Sequence, residues 1–207
     1  MINLNLGCGE TIIDGFINVD IREDIHYFNN VVSDDIESLS TFQNDSVDLI
    51  YASHVLEHFG REKVLKVLNC WYNKLKDGGT LRLSVPDLDT IMRLYVDGKC
   101  KLQDITGLIY GGKIVRYDEY LKNDIDDNLT CTHDKWKSWG GDLDTHRCGF
   151  NEDTLTQILS AIGFKDIVKW DWRKTNHKDY DDFSQAYLPH MDKDNGTLVS
   201  LNLEAIK

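Results

Sequence analysis

Long apolar runs, paired cysteines and an excess of basic charge are what this 207-residue sequence lacks, and it has only two prolines, Pro86 and Pro189. No apolar stretch approaches the roughly 20 residues that a membrane-spanning helix needs, so no membrane partner is expected. Met1 leads straight into INLNLG without a basic leader or a cleavage site. That predicts no signal peptide and makes the cytoplasm the default location. Five scattered cysteines, Cys8, Cys70, Cys100, Cys131 and Cys148, form no C-x-x-C pair. Their spacing argues against a disulfide framework or a structural zinc ribbon and predicts reduced thiols. Lys and Arg number 23 against 35 Asp and Glu, for a net charge of -12. Such a field repels nucleic acid and disfavours a polyanionic substrate. Hydrophobic residues at 41% and charged residues at 28% are ordinary for a globular protein. One domain over 1–207 is therefore expected, with residues to spare for an insertion.

What is present is strand-like rhythm. INLNL (2–6), FINVD (16–20), SVDLIYA (46–52) and TLRLSV (80–85) read as strands. Between the last two, Val64, Leu65, Val67, Leu68, Trp71, Tyr72 and Leu75 recur at helical spacing, and Gly78-Gly79 follows where a helix stops. Strand, helix, strand implies a crossover and a mostly parallel sheet, hence an α/β fold. The rhythm fades over about 90–145, which reads as an insertion covering the sheet edge. It returns with NEDTLTQILSAIGF, where Asn151 is placed to cap a helix and Gly163 to end it. KDIVKWDW and TLVSLNLEAI read as two more strands, joined by a polar loop holding Tyr180, Asp181, Asp182 and Phe183.

Two motifs carry chemistry. Leu4-Asn5-Leu6-Gly7-Cys8-Gly9 places two glycines directly after the first strand, where a backbone can approach a ligand closely; a plain tight turn is the alternative. Asp20 ends the second strand and is placed to aim its carboxylate at the same crevice, as an acid that takes ribose hydroxyls does. A dinucleotide fingerprint is not met, because Ile12 stands where its third glycine belongs and Asp20 follows Gly9 by only 11 residues. The second motif is His54-x-x-Glu57-His58, the spacing of inverted zincins. Zinc would require both histidines on one helical face. The apolar VDLIYA before them predicts a strand running nearly to His54, so no metal ligands are assigned.

The ordered series LNLGCG, GFINVDI, SDDIESL, SVDLIYASHVLEHF, LKDGGTLRLSVPDL, YGGK, HRCGFNEDTLTQILSAIGF and SLNLEAIK resembles the class I S-adenosylmethionine-dependent methyltransferases, in particular their small bacterial and phage-type members. The likeness spans most of the chain and is weakest over 115–144. It implies a Rossmann-like, seven-stranded mixed sheet with the last strand antiparallel, helices on both faces and an inserted lid at about 90–145. It implies S-adenosylmethionine as cofactor. Gly7, Cys8 and Gly9 would lie against its methionyl part, Asp20, with Ile21 beside it, at the ribose, Asp35 and the backbone of Ile36 at the adenine, and Ser53 with His54 beneath the methyl group. Asp34 is an alternative to Asp35.

Methyl transfer to a hydroxyl or amine needs in-line positioning and a destination for the proton. His146, between insertion and last helix, is the first candidate and His54 the second, each against a purely structural role. Tyr110, Gly111 and Gly112 suggest a substrate-side turn or a simple hairpin. Tyr117, Trp136 and Trp139 suit either an aromatic wall for a small-molecule or sugar-like acceptor or packing. His133, His177 and His190 show no partner pattern. Two rival functions are a zinc hydrolase built on His54, Glu57 and His58, and a cofactor-binding module without catalysis.

Overall fold

The computed structural model describes residues 1–22, 30–111 and 145–207. Its main sheet is built from β1 (Asn3–Leu6), β2 (Ile17–Asp20), β3 (Val31–Ser33), β4 (Val47–Ser53), β5 (Leu75–Pro86), β6 (Lys165–Lys169) and β9 (Ser200–Ile206). These seven strands lie in the order β3-β2-β1-β4-β5-β9-β6. Strands β1 to β5 pair in parallel, whereas β9 runs antiparallel to both β5 and β6. The mixed sheet with an antiparallel last strand is thus formed as the sequence leads one to expect. Strand β3, three residues with no alternation to mark it, is the one the sequence reading lacks.

Helix α1 (Arg61–Lys74) joins β4 to β5. Val64, Val67, Leu68 and Trp71 fall on one face at i, i+3, i+4 and i+7 and are buried. They meet Leu4, Leu6, Ile50, Leu81 and Leu83 in the principal core, each contributing about 1.5–3 kcal/mol by leaving water. Helix α4 (Glu152–Ile162) packs on the same core through Leu155 and Leu159. Asn151 caps it by accepting the Thr154 amide at 3.0 Å, and Gly163 ends it at φ +119°. Gly78-Gly79 does not stop α1, which ends at Lys74. The pair sits inside β5, where Gly78 at φ +77° gives its amide to the Lys207 carbonyl at 3.1 Å.

Residues 88–110, expected to be irregular, form two helices, α2 (Leu88–Val96) and α3 (Leu102–Tyr110). Their apolar residues Ile91, Leu94 and Ile105 close on Ala186 and Val199 as a separate small core. Gly111 and Thr145 pair as an antiparallel bridge, so the stretch between them leaves and returns at one point. Gly112, Tyr117, His133, Trp136 and Trp139 lie outside the described residues. A hairpin of β7 (Tyr187–Leu188) and β8 (Thr197–Leu198) precedes β9. No described helix is long and apolar enough to cross a membrane.

The sheet's other face is polar and aromatic. Tyr51, Arg82 and Trp170 meet His177 there, with the Tyr51 ring centroid 4.4 Å and the Trp170 centroid 6.0 Å from the imidazole. Tyr51 also donates its hydroxyl to Asp182 at 2.5 Å. Arg82 lies 3.2 Å from His177 Nε2. A guanidinium only donates, so Nε2 must be unprotonated. Burial first, and the Arg82 charge second, push His177 from 6.5 down to about 4.

The unfolded chain therefore takes up a proton at His177 near pH 6.5 that the folded chain refuses until about pH 4. This contribution is fully present above pH 6.5 and is lost as pH falls toward 4, by on the order of 2–3 kcal/mol. Urea unfolding at pH 7 and pH 4.5 should show the loss in the wild type and a markedly shallower one in His177→Gln. Parallel pH profiles would remove His177 as the cause.

Candidate functional site

Strands β1, β2 and β4 deliver their carboxyl ends side by side, with Leu6 opposite both Val19 and Ala52. In a parallel sheet that edge is where ligands bind. Gly7 and Gly9 leave β1 at φ +60° and +51°. A side chain at Gly7 would start 2.7 Å from Val55 Cγ2, whereas one at Gly9 would meet nothing within 4 Å. Gly7 is thus needed to pass Val55, and Gly9 keeps the outer side of the turn bare.

Asp20, buried at 7% exposure, ties this loop to β2. Its Oδ2 accepts the Gly9 amide at 2.9 Å and its Oδ1 the Arg22 amide at 2.9 Å. An ionised carboxylate has about four lone-pair sites, and the described residues take two of them. Cys8 lies buried between them, and burial, then Asp20, push its thiol up to about 12, which leaves it an inert packing group. Ile21 next to Asp20 is 54% exposed.

The turn after β3 separates its two acids. Asp34 is buried and spent: it accepts Ser40 Oγ at 3.0 Å and the Thr41 amide at 2.8 Å. Burial pushes its carboxyl up, but these bonds outweigh it and hold the group below the usual range. Asp35 is exposed and accepts the Glu37 amide at 2.9 Å, so its carboxylate keeps capacity for a ligand. The Ile36 carbonyl is taken by Trp71 Nε1 at 2.8 Å, which fixes the turn on α1.

At the end of β4 the Ser53 hydroxyl is buried without a hydrogen-bond partner among the described residues. His54 follows at φ +53°, a left-handed conformation that few residues other than glycine adopt. It turns the chain out of the strand, and only then does a short 3-10 turn, Leu56–His58, begin. His54 and His58 therefore do not share a helical face, and the H-x-x-E-H spacing is not a zincin helix. The His54 ring is spent on the fold, with Nε2 3.0 Å from Ser200 Oγ and Nδ1 3.2 Å from Glu57 Oε1.

Glu57, absent from the sequence-derived site except as a rival zinc residue, is its buried centre. It is fully buried. Its backbone carbonyl accepts the amides of Arg147 at 2.8 Å and Cys148 at 3.2 Å, which docks the chain returning from the insertion. His146 is thereby brought to within 3.9 Å of Glu57 Oε1 through Nε2, while its Nδ1 lies 3.1 Å from the Leu108 carbonyl. His58 meets His146 edge-on at 4.9 Å between ring centroids. Burial pushes the Glu57 carboxyl up, but His54, His58 and His146 together pull it below its ordinary value. Burial lowers His146 more than Glu57 raises it, so its imidazole is neutral at pH 7. Nothing in the linear sequence signals the meeting of Glu57 with His146; it arises only from the return of the chain at 145–148.

A glycine loop, an acid on the next strand and a polar cluster beyond the fourth define a cofactor-binding α/β enzyme fold. Residues 11–169 match the methyltransferase domain family, and the chain belongs to it. No curated protein matches it by sequence. Solved structures similar to it include an S-adenosylmethionine-dependent methyltransferase from Archaeoglobus fulgidus, 19% identical with a TM-score of 0.52 over 99% of this chain and 85% of that one. A second, from Mesorhizobium loti, is 15% identical with a TM-score of 0.51 over 100% of this chain and 90% of that one. Human N-acetylserotonin methyltransferase in complex with S-adenosylmethionine is 14% identical with a TM-score of 0.51, over 100% of this chain but 47% of that one.

The two glycines make a sharp test of the loop. Gly7→Ala should cost about 2–3 kcal/mol, from left-handed strain plus the Val55 contact, and Gly9→Ala only about 1–2 kcal/mol from strain alone. Urea unfolding measures both, and equal losses would show that Val55 does not set the loop.

Proposed function

We propose that this chain is an S-adenosylmethionine-dependent methyltransferase that acts in the cytoplasm on a small or carbohydrate-like acceptor, at oxygen in preference to nitrogen. The observation that carries the reading is the Asp20 carboxylate, pinned by two amides at the rim of the glycine loop with two lone-pair sites to spare for the hydroxyls of a ribose. The bare turn at Gly7 and Gly9 suits close approach of the methionyl part, with Cys8 beneath it. Ile21 offers an apolar edge beside the ribose. Asp35 and the Ile36 amide suit the adenine, since Asp34 is already committed. The unpartnered Ser53 hydroxyl, with His54, forms the floor at the reacting end. The cysteines Cys8, Cys70, Cys100 and Cys148 are free, which suits a reducing compartment.

The bound cofactor supplies an electrophilic methyl group on a sulfonium. The chain's share is to align the acceptor and receive its proton. His146 is suited to receiving the proton, because its Nε2 lone pair is unprotonated and, once protonated, would face Glu57 Oε1, 3.9 Å away, which stabilises the imidazolium. His54 is less suited, because both of its nitrogens already face partners. Helices α2 and α3, within the stretch of about 90–145 read as a lid, would serve the acceptor side.

Calorimetric titration of S-adenosylmethionine and S-adenosylhomocysteine into wild type, Asp20→Asn and Asp20→Ala tests the reading, with circular dichroism as the folding control. Losing charge-assisted bonds to two hydroxyls should raise Kd at least about 100-fold. Wild-type protein that binds neither ligand would overturn it, and unchanged affinity in both variants would remove Asp20 from the site.

A further inference from the structure

We propose that Glu57, His58 and His146 bind a divalent transition-metal ion of the zinc class. One donor atom from each lies within 4.8 Å of the others. Glu57 Oε2 and His58 Nδ1 are buried without a hydrogen-bond partner among the described residues, Glu57 Oε1 faces His54 Nδ1 at 3.2 Å, and Glu57 is fully buried. Buried polar atoms are nearly always partnered, so two orphans at one point call for an occupant.

The state of His146 says what kind. A carbonyl oxygen only accepts, so the contact of Nδ1 with the Leu108 carbonyl at 3.1 Å puts the proton on Nδ1. Nε2 then turns a lone pair toward Glu57 Oε1 at 3.9 Å, acceptor facing acceptor. A metal ion between them satisfies both. The Nδ1–H to carbonyl bond is also the support that orients metal-bound imidazoles, and His54, with Nδ1 3.2 Å from Glu57 Oε1, braces the carboxylate in the same way.

Two imidazoles and a carboxylate are borderline donors that suit zinc over magnesium or calcium. Donors bound at about 2.1 Å to a tetrahedral ion stand roughly 3.4 Å apart, so the three side chains must close in from separations of up to 4.8 Å. Three protein donors leave a position for water or an acceptor oxygen. His54 is no ligand, which separates this site from the zincin pattern.

Ion binding does not depend on methyl transfer; only its use does. With the ion in place, His146 Nε2 can no longer take the acceptor's proton, so the ion stands in place of that role: an acceptor hydroxyl coordinated at the open position ionises more readily, its proton passing to solvent.

The test uses the full chain stripped with a chelator. Cobalt(II) chloride should bind with a stoichiometry of one, give visible d–d absorption, and be displaced by zinc chloride. His58→Ala and His146→Ala should each weaken binding at least about 100-fold while S-adenosylmethionine titrates as in the wild type. His146→Cys should retain cobalt and gain a near-ultraviolet thiolate-to-cobalt band that the wild type lacks, a signature that loss of folding cannot produce. No stoichiometric cobalt in the wild type overturns the site, as does binding unchanged in both alanine variants or cobalt bound to His146→Cys without the new band. Cofactor binding without metal would leave the methyltransferase reading standing, and metal without cofactor would do the reverse.

Discussion

Strands β1 and β2 are parallel neighbours joined by only the ten residues from Gly7 to Phe16, and the rest of the site depends on how that short return is held. A parallel connection ordinarily runs through a helix that satisfies its own backbone. Here none forms, and two buried asparagines stand in for it. Asn18 Oδ1 accepts the Ile13 amide and Asn5 Nδ2, both at 2.9 Å, while Asn5 Nδ2 also reaches the Thr11 carbonyl at 2.9 Å. Asn18 Nδ2 returns to the Ile13 and Phe16 carbonyls at 3.3 and 3.4 Å. Side-chain amides thus do the work of a backbone ladder, and the Gly9–Asp20 bond closes the loop at its far end. The loop's shape is set before any ligand arrives.

A second constraint acts across the insertion. A fully buried carboxylate is costly unless it is matched, and the groups gathered round Glu57 come from distant parts of the chain: His54 beside it, His146 after the insertion, and through His54 the Ser200 hydroxyl at the start of β9. The same residue's carbonyl receives the Arg147 and Cys148 amides. One position therefore couples the end of β4, the return of the chain and the antiparallel strand, so the polar centre is structural and chemical at once.

What the sequence disclosed follows from range. Strands β1, β2, β4 and β5, helix α1 and the Asn151–Gly163 bounds of α4 were legible because apolar period and capping are local signals. Strand β3 was not, since three residues carry no period and it forms by pairing with β2. Helices α2 and α3 were obscured because their apolar residues pack against Ala186 and Val199, far along the chain, rather than against the sheet core. Gly78-Gly79 looked like a helix stop, yet left-handed Gly78 serves the tie to Lys207 at the chain's end. At the site, Gly7, Gly9 and Asp20 were legible from their place beside strands. That Asp34 rather than Asp35 is committed to internal bonds shows only in its contacts with Ser40 and Thr41. The meeting of Glu57 with His146 was illegible, because His146 stands 89 positions away.

The short loop also bears on the kind of cofactor. A dinucleotide's pyrophosphate is held by the positive end of a helix whose first turn follows the glycines. Residues 7–16 hold no helix, so the glycine turn has no such end to offer an anion. The charges that face the crevice point the other way: Asp20 lies buried at its rim and Asp35 is exposed beyond it, on a chain of net charge -12. A phosphate there would meet carboxylates without a compensating dipole. A ligand with a ribose, no phosphate and a positive centre meets the same carboxylates favourably. With no helix over residues 7–16, this edge offers backbone amides and carboxylates rather than a helix end, which suits a ligand without phosphate.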